Sequence, residues 1–224
     1  MDAKMEQQNA EIEILDKLCS GQNIPVNRQM LEQLVMYGRL IAEWNQRINL
    51  VSRKEDAPIL VKHIFHSLLI TLYHRFTHDE QVLDLGTGGG LPGIPLAITA
   101  PQARFVLVDA TGKKITACKE MIKALGLQNA VALHTRVEEL RGVRFDTVLS
   151  RQVAPLDRLC AWAGSLLEKP GTLICLKGGN LDAEIAKSLD NRKRQHDFPS
   201  SVDEHPIDHI NPYFSDKKIV IAHR

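Results

Sequence analysis

Two acids, a run of glycines and one arginine stand in this chain at spacings that can do chemistry. Gln81-Val82-Leu83-Asp84-Leu85 reads as a short buried strand and runs directly into Gly86-Thr87-Gly88-Gly89-Gly90-Leu91-Pro92-Gly93. Glycines at such a junction let the backbone turn sharply and let a ligand lie against bare main chain, while the next helix points its free N–H groups at that ligand. A second apolar run, Phe105-Val106-Leu107-Val108, ends in Asp109, 23 residues beyond Gly86. That is close to the roughly 20 expected of an acid that holds ribose hydroxyls in a βαβ unit. The implied chemistry is the binding of a nucleoside-containing cofactor. A dinucleotide is disfavoured, because its fingerprint wants a third glycine three positions after the second, and Leu91 stands there.

Other side chains qualify by position. In a parallel α/β sheet, ligands bind outside the carboxyl ends of the strands. The segments to watch are therefore 86–91, 109–113, 135–139, 150–155 and 177–180, each of which follows an apolar run. Arg151 is prominent among them, since a guanidinium can hold a phosphate or a guanine edge through paired donors. His63 and His66 have helical spacing but no third ligand, so no metal is assigned. Cys19, Cys118, Cys160 and Cys175 are far apart and form no metal or redox pair; Cys118 and Cys175 read as packing residues.

Composition narrows the partners. Lys and Arg number 28 against 27 Asp and Glu, giving a net charge of +1, so no global basic field marks the chain as a nucleic-acid binder. RNA contacts would be local: Lys113-Lys114 with Lys119 and Lys123, then Arg136, Arg141 and Arg144, then Arg192-Lys193-Arg194, with Arg39, Arg47, Arg53, Lys54 and Lys62 as further cations nearer the N-terminus. The first ten residues are polar, and no apolar run approaches the roughly 18 residues of a membrane span. A cytoplasmic protein is expected, with no membrane and no obligate protein partner.

Two patterns of periodicity position these groups. Residues 1–78 read as a helical cap. Ile12, Leu15 and Leu18 mark a first helix closed by Ser20-Gly21, Leu31, Leu34, Val35 and Ile41 a second one starting at Pro25 to Asn27, and Leu60, Ile64, Leu68 and Leu72 a third opening near Pro58. Residues 79–224 alternate strand and helix, which predicts a mostly parallel sheet covered on both faces. Strands are expected at 81–85, 104–109, 130–134, 145–150 and 172–176, with a closing hairpin from strands near 206–210 and 218–222. Helices are expected from about Pro92, over 113–125, 155–167 and 181–189, and an irregular charged stretch over 190–203.

The spacing of Asp84, the glycine loop and Asp109 resembles that of the Rossmann-like S-adenosylmethionine-dependent methyltransferases. More specifically, the string from Leu85 to Leu96 is similar to the signature of the ribosomal RNA small-subunit methyltransferase G family, also called glucose-inhibited division protein B. Further matches are Trp44-Asn45 with Asn49-Leu50, His63 with Ser67, Asp109 with Gly112-Lys113-Lys114, Arg136-Val137-Glu138-Glu139, Ser150-Arg151 and Leu176-Lys177-Gly178. The resemblance covers nearly the whole chain. It implies an α/β, Rossmann-like class I S-adenosylmethionine-dependent methyltransferase with a mostly parallel seven-stranded sheet and an N-terminal helical cap. It implies methyl transfer to nitrogen 7 of one guanine in 16S ribosomal RNA, free or within a small ribosomal subunit or an assembly intermediate.

By that resemblance the cofactor-binding residues are Asp84, Gly86, Gly88, Leu91, Asp109, Val137, Glu138 and Arg151. Glu138 would accept from the adenine amino group, and Arg151 would also position the acceptor. Asn49, His63, Lys113 and Lys177 are candidates for RNA contact. Two positions depart from the family's pattern: Gln152, where alanine is usual, and His66, where an acid usually precedes the serine. Guanine nitrogen 7 carries a free lone pair, so no proton must leave before attack and no general base is nominated despite nine histidines. Alternatives are a methyltransferase for a small molecule or a protein, a non-catalytic RNA- or ribosome-binding module and, more distantly, a dinucleotide oxidoreductase.

Overall fold

The computed structural model describes residues 3–52, 58–194 and 196–224. Helix α1 (Ala3–Ser20) buries Ile12, Leu15 and Cys19 along one stripe, and α2 (Arg28–Arg47) buries Leu31, Leu34, Val35, Tyr37 and Ile41. Asn27 starts α2: its Oδ1 accepts from the Met30 N–H at 2.9 Å, satisfying one of the N–H groups that a helix start leaves open. The third helical segment, α3, winds as a π-helix over Leu60–Phe65, as α-helix over His66–Leu68 and as a 3-10 helix over Leu69–Leu72. Every residue from His63 to Ile70 is buried. The expected single apolar face understates this, because the middle of α3 is enclosed on all sides and buries His63, His66 and Ser67 along with its apolar residues.

Seven strands form one sheet in the order β3-β2-β1-β4-β5-β7-β6: β1 (Gln81–Leu85), β2 (Arg104–Asp109), β3 (Ala130–His134), β4 (Phe145–Arg151), β5 (Leu167–Gly178), β6 (Ser201–Pro206) and β7 (Lys217–His223). The first five strands run parallel, and β7 lies antiparallel between β5 and β6. Strand order reverses between β1 and β4, which opens a crevice at their carboxyl ends. Helices α1, α2 and α3 share one continuous core with α4 (Gly93–Thr99) and α5 (Gly112–Ala124), while α6 (Leu156–Leu166) and α7 (Asp182–Asp190) line a second core. Among the described residues, no helix is long and apolar enough to cross a membrane.

Two boundaries differ from expectation. The strand placed near 206–210 lies at Ser201–Pro206, starting within the stretch expected to be irregular. It is a polar edge strand, so it lacks an apolar alternation to announce it, and Pro206 ends it where a ladder donor would be needed. Strand β5 begins at Leu167 rather than near 172: Phe145 pairs with Leu167 and Thr147 with Thr172, so Glu168–Gly171 bulge from the ladder.

Candidate cofactor and acceptor site

The glycine loop is held from several sides. Gly86, Gly88 and Gly90 all have positive φ, of 70°, 59° and 95°, a region that costs any other residue. Beneath the loop, Asp84 Oδ2 accepts from Thr87 Oγ1 at 2.5 Å and from the Gly93 N–H at 2.9 Å. Across it, Asp109 Oδ2 accepts from the Gly88 N–H at 3.0 Å, and Oδ1 from the Thr111 N–H at 2.8 Å. The cap supplies the rest: Tyr37 Oη donates to the Gly89 carbonyl at 2.9 Å, and Leu50 packs over Gly89. Asn45 fixes the segment carrying Leu50 by accepting from the Leu50 and Val51 N–H groups at 2.8 and 3.0 Å.

Two cavities meet at Gly86. One, of about 170 Å³, is lined by Asp109, Val137 and Glu138 together with Arg158 and Trp162 of α6. The Arg158 guanidinium lies 4.6 Å over the Trp162 ring, a cation–π pair that makes a flat wall. The second cavity, of about 150 Å³, is lined by Gly86–Gly89, Leu91, Leu50, His63, Lys114, Arg151 and Gln152. Arg151, at the end of β4, donates through Nη2 to His63 Nδ1 and lies 3.5 Å from the Lys62 carbonyl, so cap and sheet meet at this guanidinium. His63 donates no proton to that bond, so its ring serves as an acceptor there.

Electrostatics differ sharply between the two acids. Asp84 is fully buried and lines neither cavity; burial raises its carboxyl to about 7, against the pull of the Thr87 and Gly93 bonds, and Asp109 pushes it further up. Asp109 stands at the cavity wall, and each of its oxygens keeps a lone pair beyond the backbone bond it already accepts.

The remaining sequence-predicted residues divide. Gly86, Gly88, Leu91, Asp109, Val137, Glu138, His63 and Arg151 are brought together around the two cavities. Asn49 and Lys113 are exposed and line neither. Lys177 is nearly buried and held by Glu184 at 2.6 Å and the Ala154 carbonyl at 3.2 Å. Arg144 belongs to the opposite end of β4, where it donates to the Ser165 and Leu167 carbonyls. Arg39 and Arg47 pair with Glu11 and Glu43, while Arg53 and Lys54 fall outside the described residues. Sequence reasoning passed over Tyr37, Arg158 and Trp162, each of which looks like an ordinary helix residue until the fold sets it against the site.

A parallel sheet with one antiparallel strand, a glycine loop after β1 and an acid closing β2 define a class I S-adenosylmethionine-dependent methyltransferase. Magnesium protoporphyrin IX methyltransferase from Synechocystis, solved with bound SAM, matches with a TM-score of 0.58 at 16% identity, over 86% of this chain and 97% of that one, a likeness of fold. The family is equally definite: the chain belongs to the rRNA small subunit methyltransferase G family, whose model matches residues 30–208. It is 61% identical over 219 residues to ribosomal RNA small subunit methyltransferase G of Pelodictyon phaeoclathratiforme, covering 98% of this chain and 96% of that protein. Its counterpart in Chlorobium chlorochromatii is 63% identical over 211 residues, 94% of this chain and 90% of the relative. S-adenosylmethionine fits the residues present: adjoining cavities offer an acid with spare lone pairs on one side of Gly86 and bare backbone on the other.

Proposed function

We propose that this protein transfers a methyl group to nitrogen 7 of one guanine in 16S ribosomal RNA, as free RNA or within a small-subunit particle, in the cytoplasm. In this reading residues 1–78 are a cap that braces the site and residues 79–224 are the methyltransferase domain. The observation that carries it is Arg151, a cation on the wall of the glycine-loop cavity and beside a further cavity at the ends of β4 and β5.

The cofactor, when bound, supplies an activated methyl on a sulfonium centre. Asp109 would take both ribose hydroxyls, Glu138 and the Val137 backbone would hold the adenine edge, and Gly86, Gly88 and Leu91 would border the amino-acid half. Asp84 acts from beneath, by fixing the loop through Thr87 and Gly93. Arg151, braced by His63, would orient the guanine by donating to its O6, which leaves N7 free. Nitrogen 7 brings its own lone pair, so the protein's task is alignment and exclusion of water, which is catalysis by positioning. Labelled S-adenosylmethionine offered with 16S RNA, or with small subunits from a strain lacking the enzyme, should yield 7-methylguanine at one site. Cofactor binding without label in either form would refute the reading.

A further inference from the structure

We infer that the cavity at the ends of β4 and β5 seats the target base, and that His66 reads the base's Watson–Crick edge by accepting a hydrogen bond from guanine N1–H. This rests on the guanine-methylating reading above and deepens it. The cavity holds about 160 Å³ and is lined by Ser150 and Arg151 of β4, Gln152 just after it, Lys177 of β5, Lys217 of β7 and His66 of α3. Pockets for drug-sized ligands run to roughly 300–1,000 Å³, so this space suits one ring system. Arg151 and Gln152 also line the glycine-loop cavity, so a base seated here presents an edge toward the cofactor side across that shared wall.

His66 lines this cavity and carries a buried polar atom without a partner among the described residues. That atom is Nε2, whereas the ring's hydrogen bond goes to the Lys62 backbone. A backbone carbonyl can only accept, so Nδ1 carries the proton and Nε2 offers a lone pair when the ring is neutral. Burial keeps it neutral, reinforced by the neighbouring cations Arg151 and Lys217 and by His63. Phe214 packs against the ring with centroids 5.0 Å apart, which fixes its plane. A buried acceptor without a donor is a standing cost that a ligand N–H relieves.

The pattern of one acceptor among cationic donors matches guanine and opposes adenine. Guanine offers N1–H and the N2 amine as donors, with O6 as the acceptor for Arg151 and Lys217, and leaves the N7 lone pair free to face the cofactor side. Adenine would set a lone pair at N1 against the His66 lone pair and an amine against the cations. A base taken out of its stack is commonly read in this way, by hydrogen bonds to its Watson–Crick edge.

Calorimetric titration tests this on full-length protein loaded with S-adenosylhomocysteine. Guanosine monophosphate should bind at least about tenfold more tightly than 1-methylguanosine monophosphate, in which the donor is blocked, and than adenosine monophosphate, one buried hydrogen bond being worth about that factor. His66→Asp keeps an acceptor and should keep the preference. His66→Phe keeps a ring against Phe214 and should lose it, and His66→Leu gives the same readout if the Phe variant does not fold. Equal or absent binding of the three nucleotides by the wild type, or an undiminished preference in the variants lacking an acceptor, would overturn the assignment. Methyl transfer to 16S RNA is measured separately: transfer without nucleotide discrimination removes only the role of His66, whereas discrimination without transfer removes the RNA reading.

Discussion

Replacing Asp84 by Asn should stabilise the protein, by an amount that grows with pH. Asp84 is fully buried, both of its donors meet Oδ2, and Oδ1 has no partner among the described residues. Burial raises the carboxyl from 3.8 to about 7 in the folded chain. A pKa raised on folding contributes stability that is fully present below pH 4 and is lost as pH climbs through about 7. At 1.36 kcal/mol per unit, the rise from 3.8 to about 7 corresponds to about 4 kcal/mol by pH 8. Asn copies the neutral acid, keeping one carbonyl oxygen for Thr87 and Gly93 without titrating. Thermal melts of both proteins from pH 4 to pH 8 measure the effect. For a chain of this length each kcal/mol moves the midpoint by roughly 2–4 °C, so the variant should gain about 8–16 °C on the wild type across that range. Parallel curves would show that Asp84 stays ionised throughout, and the buried-acid argument would be wrong.

Four further outcomes follow from the same geometry. Tyr37→Phe leaves the Gly89 carbonyl without its donor and should cost about 1–2 kcal/mol, read as a midpoint drop of roughly 2–8 °C and weaker cofactor binding in calorimetry. Asp109→Ala removes the acceptor of the Gly88 and Thr111 N–H groups; with two charge-assisted bonds gone, cofactor affinity should fall by about a hundredfold or more, and an unchanged Kd would take Asp109 out of the site. Gly86→Ala places a Cβ at a φ of 70° and 2.5 Å from Val153 Cγ2, which should cost about 1–3 kcal/mol. Pairing it with Val153→Ala should recover only the clash, as comparison of the two melts would reveal. Arg151→Ala should lower kcat/KM for RNA by roughly a hundredfold, with a smaller drop in the melt because His63 and the Lys62 carbonyl lose their donor; unaltered turnover would exclude Arg151 from acceptor positioning.

What the sequence could reveal was whatever lies within a few residues along the chain. β1, β2 and most of β4 were readable because each is a short apolar run with a charged or glycine stop, and buried parallel strands carry that signature; β3, at the sheet edge with Val131 and Leu133 exposed, is an apolar run all the same. The edge strand β6 was expected several residues too late, since one open side leaves it polar and without an apolar alternation to fix its start. The same division holds inside the site. Gly86, Gly88 and Asp109 announce themselves by spacing, because a loop after a strand and an acid after the next strand are local features. Lys177 also looked like a strand-end cation; Glu184 of the next helix, α7, pairs with it, and it lines the cavity at the ends of β4 and β5. Arg144 sat in a basic cluster by sequence, and the fold puts it at the far end of β4.

By itself, then, the chain's residue pattern determined the class of fold, the glycine loop and the acid opposite it, since hydrophobic periodicity and backbone freedom act over single turns and strands. Only the tertiary structure decided which remote side chains complete the site. Tyr37 reaches the loop over a separation of 52 residues, and His63 and Arg151 meet across 88. His66 borders a cavity that Lys217 also lines because β7 inserts antiparallel beside β5. Such meetings depend on strand order and on how the cap docks, and no local spacing encodes either.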